Sequence, residues 1–230
     1  RMKIGIDLGT TRSAASIVEA GDPTLLMNDR GDRLTPSVVF YDDDGVHVGK
    51  KATSKADAGE PIREVKRKMG TDEGAECNGD EYGPVNVSGA IIEQLVDQSE
   101  TYLDEPVDEV VITVPAYFTA DQKRDTRDAA VKAGFNKDDI ELLYEPTAAA
   151  IAHGFSNDLD DTMLVYDFGG GTLDISVLEV SGDKFSMLAT AGDNELGGVD
   201  FTEAIVDLLA DEYEDEHGVD IRESAEAYEN

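Results

Sequence analysis

The sequence predicts an α/β protein made of two related lobes around a cleft. Two observations carry this. Strand-like and helix-like segments alternate along the chain, and one hairpin motif occurs twice. Ile4-Gly5-Ile6-Asp7-Leu8-Gly9-Thr10-Thr11 opens the chain, and Leu164-Val165-Tyr166-Asp167-Phe168-Gly169-Gly170-Gly171-Thr172 returns at an offset of 160 residues. The match runs on without a gap, placing Ser16 on Ser176, Ile17-Val18 on Val177-Leu178 and Glu19 on Glu179. Each copy reads apolar strand, Asp, Gly-rich turn with Thr, second apolar strand. The length of 230 residues fits one large domain or two lobes, and a hydrophobic fraction of 40% can build their cores.

The elements follow in order. Lys3 to Glu19 forms the first hairpin, and Leu34 to Val48 is further strand with a turn near Asp42–Gly45. Pro61 to Met69 reads as a short basic helix, and the Gly- and acid-rich Thr71 to Val87 as a loop. Ser88 to Leu103 carries Ile91, Leu95, Tyr102 and Ile92, Val96, Leu103 at helical spacing, with Ser88 as its cap. Glu109 to Val114 is a nearly continuous apolar run suited to a buried strand. Thr119 and Gln122 form a capping-box pattern for a helix reaching Gly134. A strand at Glu141–Tyr144 leads to an Ala-rich helix from Pro146 to His153, with Gly154 past its end. The second hairpin, a strand at Phe185–Ala191 and an amphipathic helix from Phe201 to Glu216 complete the pattern. Ile221 to Asn230 begins another polar, helix-prone stretch. The lobe boundary falls near Ala152–Asp161.

The hairpin tips suit phosphate chemistry. Glycine lets the backbone approach an anion closely, and successive N–H groups in a tight turn form an anion-binding concavity. Thr10, Thr11 and Thr172 add neutral donors. Asp7 and Asp167 repel phosphate, so they make sense only with a hard cation between. Mg²⁺ keeps several waters and uses one or two carboxylates with phosphate oxygens. Asp7 and Asp167 therefore read as outer ligands of a hydrated Mg²⁺; the alternative is two ordinary Asp-Gly hairpin turns.

Composition limits the partners. Fifty-one acidic against 19 basic residues give a formal net charge of −32, which excludes a general nucleic-acid binder. The acids are spread along the chain, as in Asp42-Asp43-Asp44, Asp160-Asp161 and Glu212 to Glu216. That pattern points to a halophilic source, because screening at about 3 Å in 1 M salt makes such self-repulsion tolerable; an acidic interaction surface is the other reading. Cys77 is the only cysteine, so no internal disulfide forms, and a reducing cytoplasm follows. No run approaches the roughly 20 apolar residues of a membrane span.

The motifs together resemble the nucleotide-binding domain of the 70-kilodalton heat-shock chaperones (DnaK type), within the actin-like ATPase superfamily and its ribonuclease H-like fold. The resemblance rests on Ile6-Asp7-Leu8-Gly9-Thr10-Thr11, Gly31-Asp32-Arg33 with Thr35-Pro36-Ser37, and Val65-Lys66-Arg67. It continues through Val111 to Phe118, Glu145-Pro146-Thr147-Ala148-Ala149-Ala150, Val165 to Asp174 and Leu196-Gly197-Gly198. These segments spread over residues 4 to about 218 in the family's order.

The resemblance implies a complete lobe I over residues 1–155, with an inserted subdomain over about 38–108, and the start of a truncated lobe II over 156–230. It implies that Gly9, Thr10, Thr11, Arg12, Gly169, Gly170, Gly171, Thr172, Gly197 and Gly198 line the phosphate site of ATP or ADP. Asp7 and Asp167 would hold hydrated Mg²⁺, supported by Glu145. Lys66 would orient the attacking water, and Thr172 and Asp174 would position that water or a bound K⁺. Pro115 would relay nucleotide state to a partner domain. ATP hydrolysis would control affinity for unfolded peptide clients, with a J-domain co-chaperone and a nucleotide-exchange factor as partners and no nucleic acid or membrane. From the residues alone, Lys66 also fits a surface lysine of Arg63-Glu64-Val65-Lys66-Arg67-Lys68, and Glu145 an acid favoured at a helix start. His47, His153 and His217 show no metal-type spacing.

Departures from the family pattern are expected to matter. Arg12 stands where a polar or aromatic residue is usual, Lys123 where Arg is common, and the segment after Met69 is shorter than usual. The chain is expected to stop before the adenine-gripping helix and the last adenosine loop, giving weak nucleotide binding and little turnover. Rival readings are a nucleotide-binding pseudo-enzyme, a sugar kinase and an actin-like filament protein of the same superfamily.

Overall fold

The computed structural model describes residues 1–154, 160–182 and 184–223. Its first sheet is built around the opening hairpin. Strand β1 (Lys3–Asp7) pairs antiparallel with β2 (Arg12–Glu19), which pairs antiparallel with β3 (Asp22–Leu25) and, at its start, with the short β4 (Thr35–Pro36). On the other side β1 runs parallel to β9 (Glu109–Val114), and β9 parallel to β10 (Ile140–Tyr144), so the order is β10-β9-β1-β2-β3. The expected strand at Glu109 to Val114 is present with the same bounds.

Residues between β4 and β9 form a smaller unit. It holds the hairpin β5 (Val39–Asp42) and β6 (Gly45–Val48), a one-turn helix α1 (Lys50–Thr53), the hairpin β7 (Ala75–Cys77) and β8 (Asp80–Tyr82), and helix α2 (Pro84–Leu103). Three expectations are corrected here. Pro61–Met69 is not an α-helix: Glu64 takes a left-handed φ of 55°, and only Val65–Lys68 makes a 3₁₀ turn. Thr71 to Val87 is not all loop: Asn78 and Gly79, with φ of 52° and 85°, make the two-residue turn that closes β7 onto β8. Helix α2 begins at Pro84, whose missing N–H costs nothing in the first turn, so Ser88 lies inside the helix and donates to Met69 Sδ at 3.5 Å.

Helix α3 (Ala120–Lys132) starts with the expected capping box, Thr119 and Gln122 each accepting from the other's backbone N–H, and Gly134 follows with φ 104°. Helix α2 packs on α3, and the two join one core with the sheet: Ile4, Ile6, Ala15 and Ile17 meet Val87, Ile91, Leu95, Ala129 and Ala130. Val38, Val39, Phe40 and Ile62 continue that core into the inserted unit.

Helix α4 (Glu145–Gly154) leads to the second sheet, β11 (Asp160–Phe168), β12 (Leu173–Ser181) and β13 (Lys184–Asp193), antiparallel in that order. Helix α5 (Gly198–His217) follows. The sequence repeat is a repeat of register. Gly5, Ile6 and Asp7 pair with Ser16, Ala15 and Ala14; Val165, Tyr166 and Asp167 pair with Ser176, Ile175 and Asp174, each 160 residues on. Of the polar stretch expected from Ile221 to Asn230, Ile221–Glu223 forms a 3₁₀ turn and the remainder lies outside the described residues. No described helix is long and apolar enough to cross a membrane.

Candidate functional site

The two hairpin tips face each other. A Cβ built on Gly171 would lie 2.5 Å from Thr10 Cγ2 and 2.7 Å from Thr10 Oγ1, and one on Gly170 would lie 2.5 Å from Thr11 Oγ1. Only glycine fits there, so the second tip rests its bare backbone on the threonines of the first. Gly197 closes the third side: a Cβ on it would run into the Gly170–Gly171 peptide.

The turn Gly169–Thr172 is oriented with its carbonyls toward protein. Gly169 O accepts from Gly198 N (2.9 Å), Gly170 O from Val199 N (2.9 Å), Gly171 O from the Arg67 guanidinium (2.9 and 3.2 Å), and Thr172 O from Gly169 N (2.9 Å). Among the described residues, the N–H groups of Gly170, Gly171 and Thr172 have no protein acceptor. A turn with four committed carbonyls and three uncommitted amides is an anion-binding concavity. The Gly198 N–H is committed to Gly169, so that residue reaches the site through the turn it supports.

Beside the tips lie the charged groups. Lys66 Nζ donates to Glu145 Oε1 at 2.7 Å, and both side chains are nearly buried. The basic segment therefore turns Lys66 inward, and the surface-lysine reading is wrong for it. Glu145, the first residue of α4, has its carboxyl raised above the usual range by burial, opposed by Lys66 and reinforced by Asp7 and Asp167. Asp7 accepts from Thr113 Oγ1 at 3.0 Å. Asp167 is raised by burial and by the charge of Asp7. Asp174 is 2% exposed, neither of its oxygens has a hydrogen-bond partner among the described residues, and burial, then Glu145 and Asp167, push it up to about 6. The buried Tyr117 hydroxyl, likewise without a hydrogen bond, lies close enough to feel that carboxylate. A small pocket opens here, lined by Thr10, Lys66, Arg67, Tyr117, Thr172 and Asn194.

Comparison with known proteins identifies the ancestry of this arrangement. The family model described as "Hsp70 protein" matches residues 3–77 and 72–230. The chain belongs to the Hsp70 family. It is similar to the protein named "Chaperone protein DnaK" in two strains of Halobacterium salinarum, R1 and NRC-1, at 45% identity over 228 residues. The match covers 97% of this chain and 36% of each relative, so the chain spans about a third of the length of the curated relatives it matches. Mixed sheets and helices with a duplicated hairpin are the actin-like ATPase fold of the Hsp70 family. The halophilic reading of the acid surplus fits the source of these relatives.

Within this Hsp70 fold the sequence-predicted residues fall into two groups. Gly9, Thr10, Thr11, Gly169, Gly170, Gly171, Thr172, Gly197 and Gly198 build the tips and their support, while Lys66, Glu145, Asp7, Asp167 and Asp174 form one electrostatic cluster. Arg12 sits apart in role: it is exposed at the start of β2 and pairs with Pro36. Lys123 donates to Tyr144 Oη at 3.0 Å and lies 4.8 Å from that ring's centre. Among the described residues, no three His, Cys, Asp or Glu side chains converge to ligate an ion directly. Asp7 and Asp167, near enough that the charge of Asp7 raises Asp167, suit a cation held through its own waters, and the unpartnered, buried Asp174 carboxylate suits a second cation or a bound water. Sequence reasoning missed Arg67 and Tyr117. Arg67 had a signal, its place beside Lys66 in one short basic segment; Tyr117 had none beyond its place between Pro115 and Phe118.

Proposed function

We propose that the cleft binds the phosphates of ATP and ADP, and that this chain forms the core of the ATPase of a DnaK-type chaperone. The observation that supports this most is the uncommitted amides of Gly170, Gly171 and Thr172, in a turn that rests on Thr10 and Thr11, with all four turn carbonyls committed to protein. Phosphoryl transfer needs mostly positioning and charge stabilisation, and the cluster supplies both.

The residues divide the work. The turn amides and the Thr10 and Thr11 hydroxyls hold phosphate oxygens. Asp7 and Asp167 hold the waters of a Mg²⁺ ion, with Glu145 in support; when bound, that ion neutralises phosphate charge and fixes the chain's geometry. Lys66, steadied by Glu145, presents its ammonium to the terminal phosphate and to the attacking water. Thr172 and Asp174 orient that water or hold K⁺. The residues divide as lobe I (1–155, with about 38–108 inserted) and the start of lobe II (156–230). In the longer protein, hydrolysis would switch the grip on unfolded peptides, Pro115 would pass on the nucleotide state, and a J-domain protein and an exchange factor would set the cycle. A cytoplasmic setting suits the lone buried Cys77.

Calorimetric titration with Mg·ADP and Mg·ATP in molar KCl tests the reading. Saturable binding that needs Mg²⁺ and is lost in Gly171→Ala supports it. Binding of neither nucleotide by the wild-type chain overturns it.

A further inference from the structure

Arg67 makes five polar contacts that the proposed chemistry does not use. Its Nε and Nη2 donate to Gly171 O at 3.2 and 2.9 Å. Its Nη1 and Nη2 donate to the two oxygens of Asp200 at 3.1 and 2.5 Å, and Nη1 lies 3.2 Å from Glu64 Oε2. Asp200 in turn accepts from Gly197 N at 2.6 Å and so caps the first turn of α5. Arg67 holds its neighbours across a long sequence gap: it sits on the 3₁₀ turn of the inserted unit, and Gly171 and Asp200 sit at the tip and helix start beyond α4.

The contact with Gly171 has a geometric consequence. A peptide unit is planar and trans, so its carbonyl and its N–H point in opposite directions. Fixing Gly171 O on the guanidinium fixes the direction of the Thr172 N–H, one of the three uncommitted amides. Three glycines, Gly169 to Gly171, lead into this unit, and glycine holds no orientation by itself. Only a planar donor fork can hold the carbonyl and the carboxylate together; an ammonium on a flexible stem is a point charge.

We propose that Arg67 is the positioning residue of the phosphate turn: it sets the Gly171–Thr172 peptide plane and, through Asp200, locks the first turn of α5 to it. The inference rests on the phosphate reading above. It specifies that Arg67 acts through backbone orientation and touches no phosphate. It also distinguishes Arg67 from a mere tie between units, which would change stability and leave the amides where they are.

The test compares wild type with Arg67→Lys, which keeps the charge, and Asp200→Asn, which keeps the Gly171 contact. Two readouts are needed: calorimetric Kd for Mg·ADP and for Mg·pyrophosphate in molar KCl, and ¹⁵N amide shifts without ligand. Arg67→Lys should weaken both ligands about tenfold or more, whereas Asp200→Asn should weaken them only a few-fold. The Gly171 and Thr172 amide resonances should move in Arg67→Lys, while those of the first sheet stay put. Wild-type affinity for both ligands in Arg67→Lys, or unmoved Gly171 and Thr172 amides, overturns the proposal. If wild type binds neither ligand, the phosphate reading fails by itself, and the amide shifts alone decide whether Arg67 orients the turn.

Discussion

Ile4, Ile6 and Leu8 on the first hairpin are 1%, 1% and 4% exposed, while their counterparts Leu164, Tyr166 and Phe168 are 67%, 62% and 43% exposed. The two hairpins have the same register and the same alternation. What differs is the layer above. Helices α2 and α3 cover the first set, whereas α4 packs against β11 and β12 on the opposite face, the side of Asp174, Ser176, Leu178 and Val180. Helix α5 also leaves Phe201, Ile205, Leu208, Leu209 and Tyr213 exposed, and Phe168 meets Phe201 edge-on at 5.6 Å. Local sequence thus sets pairing and turn, while burial depends on which distant element arrives.

The largest expected effect tests this contrast directly. Ile6→Ala should destabilise the fold by about 2–5 kcal/mol, because a closed core leaves a cavity. Tyr166→Ala, at the same register, should change stability by about 0.5 kcal/mol or less. Chemical denaturation in molar KCl measures both, and equal losses would break the comparison.

The second test uses the position where the copies differ chemically, Ala14 against Asp174. The folded Asp174 holds its proton up to about pH 6, above the ordinary value of 3.8, because the ionised form is buried. Its stabilising contribution is therefore complete below about 3.8 and lost as pH rises through about 6. Asp174→Asn should be more stable than wild type at pH 7 by up to about 3 kcal/mol and equal to it near pH 3.5. Denaturation curves at the two pH values decide this; a variant no more stable at pH 7 would show that the buried carboxylate costs nothing.

A smaller effect separates neighbouring glycines. Gly171→Ala drives a Cβ into Thr10 and should cost about 1–3 kcal/mol. Gly169→Ala meets its nearest atom, Thr172 O, at an ordinary 3.6 Å and should cost under about 1 kcal/mol. Thermal melts of the pair would sharpen the claim that the tips touch through Gly170 and Gly171. Smallest of all, Leu208→Asp should leave stability within about 0.5 kcal/mol and lower the binding of a hydrophobic dye. Unchanged dye fluorescence would mean that the α5 face is not an accessible patch.

Much of this was legible in sequence for one physical reason: strands and caps are local. The repeated pattern of apolar strand, Asp, Gly-rich turn and second apolar strand marked both hairpins, and Thr119 with Gln122 marked the start of α3. The losses were also local where a signal was passed over. Asn78-Gly79 is a strong hairpin turn hidden in an acid-rich stretch, and Pro84 outranks Ser88 as a helix start. Other features were not local at all. Leu164 and Tyr166 alternate as Ile4 and Ile6 do, so nothing in either run announces which is covered. For the candidate site, the motif residues do gather, yet the inward turn of Lys66 depends on Glu145, 79 residues away, and the grip of Arg67 on Gly171 spans 104.

The duplicated hairpins are matched in backbone and unmatched in charge. A clamp with true twofold symmetry would accept an extended ligand equally from either end. Here Asp174 stands opposite Ala14 in the repeat, and the Lys66–Glu145 pair lies outside it. On the phosphate reading proposed above, the clamp would have a head and a tail, and a chain-like guest lying in it would be held in only one direction.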